Sequence, residues 1–89
     1  MTTYTVAWHQ QALNELTVIW TAADRRQAVT DSVVRIDRAL RVDPAVKGVD
    51  FYGDRLLVVV PLAVVYSVRE NDRKVEILSV TGAAGRYAG

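Results

Sequence analysis

Side chains do catalytic work in sets of ionisable groups, and this chain offers few such sets. It has one histidine, His9, and no cysteine. Disulfides, thiolate metal sites and cysteine nucleophiles are therefore excluded. A lone imidazole has no partner for an acid–base relay, and His9, at a strand-to-helix junction, is expected to cap the helix or face water. No metal-ligand spacing is present. Residues 82–85 read Gly-Ala-Ala-Gly, but no Lys-Ser/Thr pair follows and no helix begins there, so this is not a phosphate loop. Arg35, Arg38 and Arg41 recur at every third position behind Arg25 and Arg26. That series could form a basic stripe for a nucleic acid or an acidic partner. However, Asp31 stands four before Arg35 and Asp37 four before Arg41, the favourable orientation for helical ion pairs of about 0.3–0.5 kcal/mol each. A solvated helix face is the favoured reading. Trp8 and Trp20 are expected in the core rather than as stacking platforms.

The whole chain is nearly balanced in charge. Eleven basic and ten acidic residues leave a net charge of +1, so an anionic partner must be met by a local patch. A length of 89 residues implies one domain, residues 1–89. With 51% hydrophobic and 24% charged residues, the chain is globular rather than disordered. The N-terminus lacks a basic segment followed by an apolar core, which argues against a signal peptide. The longest nearly apolar run, residues 56–66, is interrupted by Pro61 and falls short of the ~20 residues of a spanning helix. A soluble, cytoplasmic protein without a cofactor is expected; the lack of cysteine fits a reducing compartment.

The hydrophobic period changes along the chain. Residues 3–8 alternate, with Tyr4, Val6 and Trp8 on one face, which predicts a strand. Leu13, Leu16 and Trp20 then form a helical stripe, predicting a helix over residues 10–22. Asp24, three residues before Gln27, is the expected cap of a second helix carrying Val29, Val33, Ile36 and Leu40. Pro44 should end that helix near Val42. Residues 45–53 read as a loop with a short extended piece at 49–52. Strands are expected at 55–60 and 62–69 around a turn or bulge at Pro61, then at 74–81 after the polar turn Glu70-Asn71-Asp72-Arg73. In the last strand Val75, Ile77 and Ser79 alternate against Glu76, Leu78 and Val80. The class is α+β: an N-terminal strand, a two-helix hairpin, then a three-stranded antiparallel meander, with the helices on one face of an antiparallel sheet.

Residues 56–60 and 62–66 do not alternate; both faces are apolar. One helical layer covers one face only, and each side chain of this size left bare forgoes roughly 1.5–3 kcal/mol of burial. The uncovered face is a driver of association, with Leu57, Val59, Val65 and Tyr66 as candidate partner-binding residues. Cover by the chain's own loop or tail, as in central strands generally, and a homodimer are the alternatives.

The chain resembles the RelE/ParE toxin superfamily of bacterial type II toxin–antitoxin systems. Tyr4-Thr5-Val6-Ala7-Trp8-His9 followed by Ala12-Leu13-Asn14-Glu15-Leu16 is similar to the family's first strand and helix. Arg38-Ala39-Leu40 with Asp43-Pro44 resembles the end of its second helix. Val64-Val65-Tyr66-Ser67-Val68, Asn71-Asp72 and Val75-Glu76-Ile77-Leu78-Ser79-Val80 resemble its closing hairpin. The resemblance implies a toxin silenced by a cognate antitoxin. It implies either ParE-like inhibition of DNA gyrase or RelE-like cleavage of messenger RNA on the ribosome. The RNA-cutting members use sheet lysines and arginines plus an aromatic group near the C-terminus. Here Arg55 occupies such a strand position, while Leu57, Ala63 and Gly82-Ala83-Ala84 stand where further cations are expected. Arg86 and Tyr87 are the remaining catalytic candidates, provided the tail folds back. A toxin that acts by binding is the leading expectation. A ribonuclease built on Arg55, Arg86 and Tyr87 is the alternative, and a non-toxic remnant of the fold or a homodimer is the third.

Overall fold

The computed structural model describes residues 3–83. The elements are β1 (Thr5–Trp8), α1 (Gln10–Ala22), α2 (Arg26–Leu40), a 3-10 turn at Pro44–Val46, β2 (Val49–Phe51), β3 (Asp54–Val59), β4 (Leu62–Arg69) and β5 (Lys74–Gly82). The strands form one sheet in the order β1-β5-β4-β3-β2. The expected hairpins are present, and residues 49–51 add a further strand, β2, antiparallel to β3. The sheet is not wholly antiparallel as expected: β1 lies parallel to β5, Val6 opposite Val75 and Trp8 opposite Ile77. The intervening helical hairpin is the crossover that a parallel pair requires.

α2 buries Val29, Ser32, Ile36 and Leu40, with Val33 at the margin, close to the predicted stripe. α1 is rotated from expectation. Ala12 is buried, and Leu16, Ile19 and Ala23 pack with it against the core, whereas Leu13 and Trp20 are 40% and 42% exposed. The small Ala12 lets α1 approach β5. Trp20 stays at the surface, where the Arg26 guanidinium lies 4.7 Å from its ring centroid. Arg26 also donates to the Trp20 and Thr21 carbonyls at 3.1 and 3.0 Å, closing the end of α1. Asp24 does not cap α2; Arg25 occupies the cap position and no side chain bonds there.

Between the helices and the sheet, Ile36, Leu40, Leu62, Val64, Tyr66, Val75 and Ile77 are almost wholly buried, each contributing about 1.5–3 kcal/mol. The predicted alternation of β5 fails beyond Ile77. Tyr66 pairs with Ile77 and Val65 with Ser79, so Leu78 is an extra residue in the ladder. The side-chain period is thereby shifted by one, and Val80 rather than Ser79 enters the core. Glu15 of α1 accepts a hydrogen bond from the Val80 N–H at 2.8 Å, satisfying a donor on the part of β5 that extends past β1. Among the described residues no helix is long and apolar enough to cross a membrane.

Candidate functional site: an open apolar sheet face

The register of the meander decides which side chains face the helices. Leu57 lies opposite Val64, Val59 opposite Leu62, and Arg55 opposite Tyr66. Tyr66 is fully buried, and Leu57 and Val59 pack against the core. These three predicted partner-binding residues therefore lie on the covered side. The other parity forms the open face: Leu56 opposite Val49 and Val65, Val58 opposite Ala63, and Phe51 opposite Asp54. Val65 is the one predicted partner residue on this face. Val49, Val58 and Phe51 are 60%, 53% and 37% exposed, while Leu56 and Val65 are half-buried. The expected bare apolar surface exists among the described residues, but it is built by Val49, Phe51, Leu56, Val58 and Val65.

At its β4–β5 turn end this face becomes charged. Glu76 is surrounded by Arg69 at 3.4 Å, Lys74 at 3.6 Å and His9 Nε2 at 3.7 Å. His9 thus faces solvent at the N-cap of α1 without a cap hydrogen bond of its own. Arg69 and Lys74 both converge on the one Glu76 carboxylate, which orients them as a surface charge network. On α2, the expected Asp37–Arg41 pair forms at 2.9 Å, whereas Asp31 accepts from Gln27 at 2.8 Å in place of the expected pair with Arg35.

Beneath the β2–β3 hairpin lies a polar latch. The Tyr66 hydroxyl sits between the Lys47 carbonyl, at 2.7 Å, and the Pro44 carbonyl, at 2.9 Å. Arg55 donates from Nε to the Lys47 carbonyl at 2.7 Å and from a terminal nitrogen to the Gly48 carbonyl at 3.0 Å. Lys47 in turn donates to the Ala39 carbonyl at 2.8 Å and to the Val42 carbonyl, closing the end of α2. Burial raises the Tyr66 pKa above its ordinary 10.0, against an opposing hydrogen bond and charge from Arg55. Gly48 has φ +67°, and a Cβ there would meet the Leu56 carbonyl oxygen at 2.3 Å. The latch thus fixes the start of β2 against β3.

Of the three catalytic candidates, Arg55 is committed to this latch, its guanidinium turned into loop carbonyls. Arg86 and Tyr87 lie outside the described residues. Among the described residues no group of three or more histidine, aspartate or glutamate side chains is placed to hold a metal ion. The apolar open face was legible as a composition of β3 and β4, but its members were not. Without alternation, parity follows only from the register at Arg55 and Tyr66.

No family model matches the chain, and no curated protein matches it by sequence. Solved structures do. The RelBE2 toxin–antitoxin complex of Mycobacterium tuberculosis is similar over 94% of this chain and 95% of that one, with a TM-score of 0.73 at 20% identity. A chromosomal ParDE system of P. aeruginosa aligns over 92% of this chain and 98% of that one, with a TM-score of 0.68 at 16% identity. The RelE–RelB complex of Pyrococcus horikoshii aligns over 96% of this chain and all of that one (100%), with a TM-score of 0.63 at 17% identity. The architecture is thus one that RelE and ParE toxins share.

Proposed function

We propose that this chain, which has the fold of RelE and ParE toxins, is the toxin component of a type II toxin–antitoxin pair. It acts in the cytoplasm by binding a cellular target, with DNA gyrase as the target class the ParE likeness suggests. A cognate antitoxin silences it by covering the open sheet face. The observation that carries the reading is that face: Val49, Phe51, Leu56, Val58 and Val65 form a contiguous apolar surface on a sheet whose other side is already packed. A surface of this kind on a small domain is stabilised by a partner. Solved relatives of the fold occur as complexes with antitoxins.

Binding is favoured over RNA cleavage because phosphoryl transfer needs free cations around the phosphate. Arg55 is held by two backbone carbonyls, and Arg69 and Lys74 share Glu76. The experiment is induction of the chain in bacteria, with transcript ends and plasmid supercoiling followed together. Growth arrest with altered supercoiling and intact transcripts is expected. Cut transcripts with normal supercoiling would establish the ribonuclease instead. Co-expression of the cognate antitoxin is expected to restore growth.

A further inference from the structure

The β2–β3 hairpin closes through Tyr52 and Gly53, both at positive φ (51° and 90°), a two-residue turn of the mirror-image type. In such a turn Phe51 and Asp54 are the bonded pair. Antiparallel pairing alternates, so the next pair, Asp50 and Arg55, is non-bonded. The backbone N–H and C=O of Asp50 therefore point away from β3, at the outer edge of the sheet, where β2 is last in the strand order. All three residues of β2 are exposed. Val49 and Phe51 extend the apolar face, while Asp50 projects to the other side. Its cross-strand neighbour Arg55 is turned to the Lys47 and Gly48 carbonyls.

We infer that the β2 edge accepts an extended segment of a partner protein in antiparallel pairing, with a lysine or arginine opposite Asp50 and an apolar residue on either side of it. The alternation of β2 dictates this pattern. The two apolar residues of the incoming strand fall beside Val49 and Phe51 and lengthen the apolar face. The basic residue falls beside Asp50 on the opposite side. The same aspartate disfavours the competing occupant: two copies of this chain pairing by β2 about a two-fold axis centred on residue 50 would set two Asp50 carboxylates opposite each other. The edge thereby selects a partner over a copy of itself. The identity of that partner rests on the antitoxin reading above, but edge pairing and its charge rule do not require the chain to be toxic.

The test uses the full chain and three nine-residue peptides of alternating threonine and valine, differing only at the centre: lysine, glutamine or glutamate between two valines. Binding is followed by titration and by amide hydrogen exchange. The lysine peptide is expected to bind at least tenfold more tightly than the glutamate peptide, and to slow exchange of the Asp50 amide. In Asp50→Lys the order reverses; should that variant fail to fold, Asp50→Asn is expected to lessen the discrimination. Equal or absent binding of all three peptides, an unchanged order in Asp50→Lys, or a homodimer of the chain that itself protects the Asp50 amide would each overturn the inference. Because the readout needs neither toxicity nor an antitoxin, its failure is distinguishable from failure of the toxin reading.

Discussion

Arg55 and Tyr66, paired across β3 and β4, converge on one acceptor: both lie 2.7 Å from the carbonyl oxygen of Lys47. Two donors from adjacent strands thus hold the loop that leads into β2. In Tyr66→Phe each carbonyl keeps another donor, Arg55 Nε at Lys47 and the Lys47 N–H at Pro44, so the loss of one hydrogen bond is expected to cost about 0.5–1.5 kcal/mol, measured by urea unfolding. Combined with Arg55→Ala, the two losses should depart from additivity by about 0.5–3 kcal/mol, because they share an acceptor. Strict additivity would mean that the shared carbonyl is not a common anchor.

The raised pKa of Tyr66 makes a signed prediction in alkali. In the unfolded chain the phenol ionises around its ordinary 10.0, whereas in the folded chain burial holds the proton to higher pH. The folded state then binds more protons, and stability falls as pH rises. The contribution is complete below pH 10.0 and is lost as pH climbs through the folded value. Stability against pH, compared between the native chain and Tyr66→Phe, should show a shallower alkaline decline in the variant. Parallel curves would contradict the assignment.

The two positive-φ glycines of the hairpin separate backbone strain from collision. Gly48→Ala must relieve a 2.3 Å contact with the Leu56 carbonyl as well as adopt φ +67°, whereas a Cβ at Gly53 meets nothing within 4 Å. Left-handed geometry alone costs about 1–2 kcal/mol, so Gly53→Ala should lose about that much and Gly48→Ala more. Equal changes in Tm would show that β2 yields without cost.

Glu15 reaches from α1 to the Val80 N–H at 2.8 Å. Glu15→Ala should accelerate hydrogen exchange at Val80 and lower stability by about 1–3 kcal/mol. Glu15→Gln keeps an acceptor and should restore most of both. An unchanged Val80 amide in Glu15→Ala would show that the donor is satisfied by water.

The element order and the α2 stripe were legible in the sequence because Val29, Val33, Ile36 and Leu40 declare a helical period. Other features were set by contacts distant in sequence. The parallel pairing of Val6 with Val75 has no local signal. Trp20, the largest apolar residue of α1, was expected inside, yet the small Ala12 faces the sheet because it permits close approach. Leu78 shifts the parity of β5, placing Val80 in the core where Ser79 was expected. Leu57, Val59 and Tyr66 were read as partner-binding because β3 and β4 are apolar on both faces. Only the register assigns them to the helices and gives Leu56, Val58 and Val65 to the open side.

The open side also makes the most direct test. Val58 is 53% exposed, so Val58→Lys should alter stability by no more than about 0.5 kcal/mol. On the proposed toxin–antitoxin reading, its affinity for the cognate antitoxin, measured by calorimetry, should fall at least a hundredfold, and co-expressed antitoxin should no longer relieve any growth arrest that the variant causes. An unchanged affinity at unchanged Tm would contradict the claim that this sheet face is where the antitoxin sits.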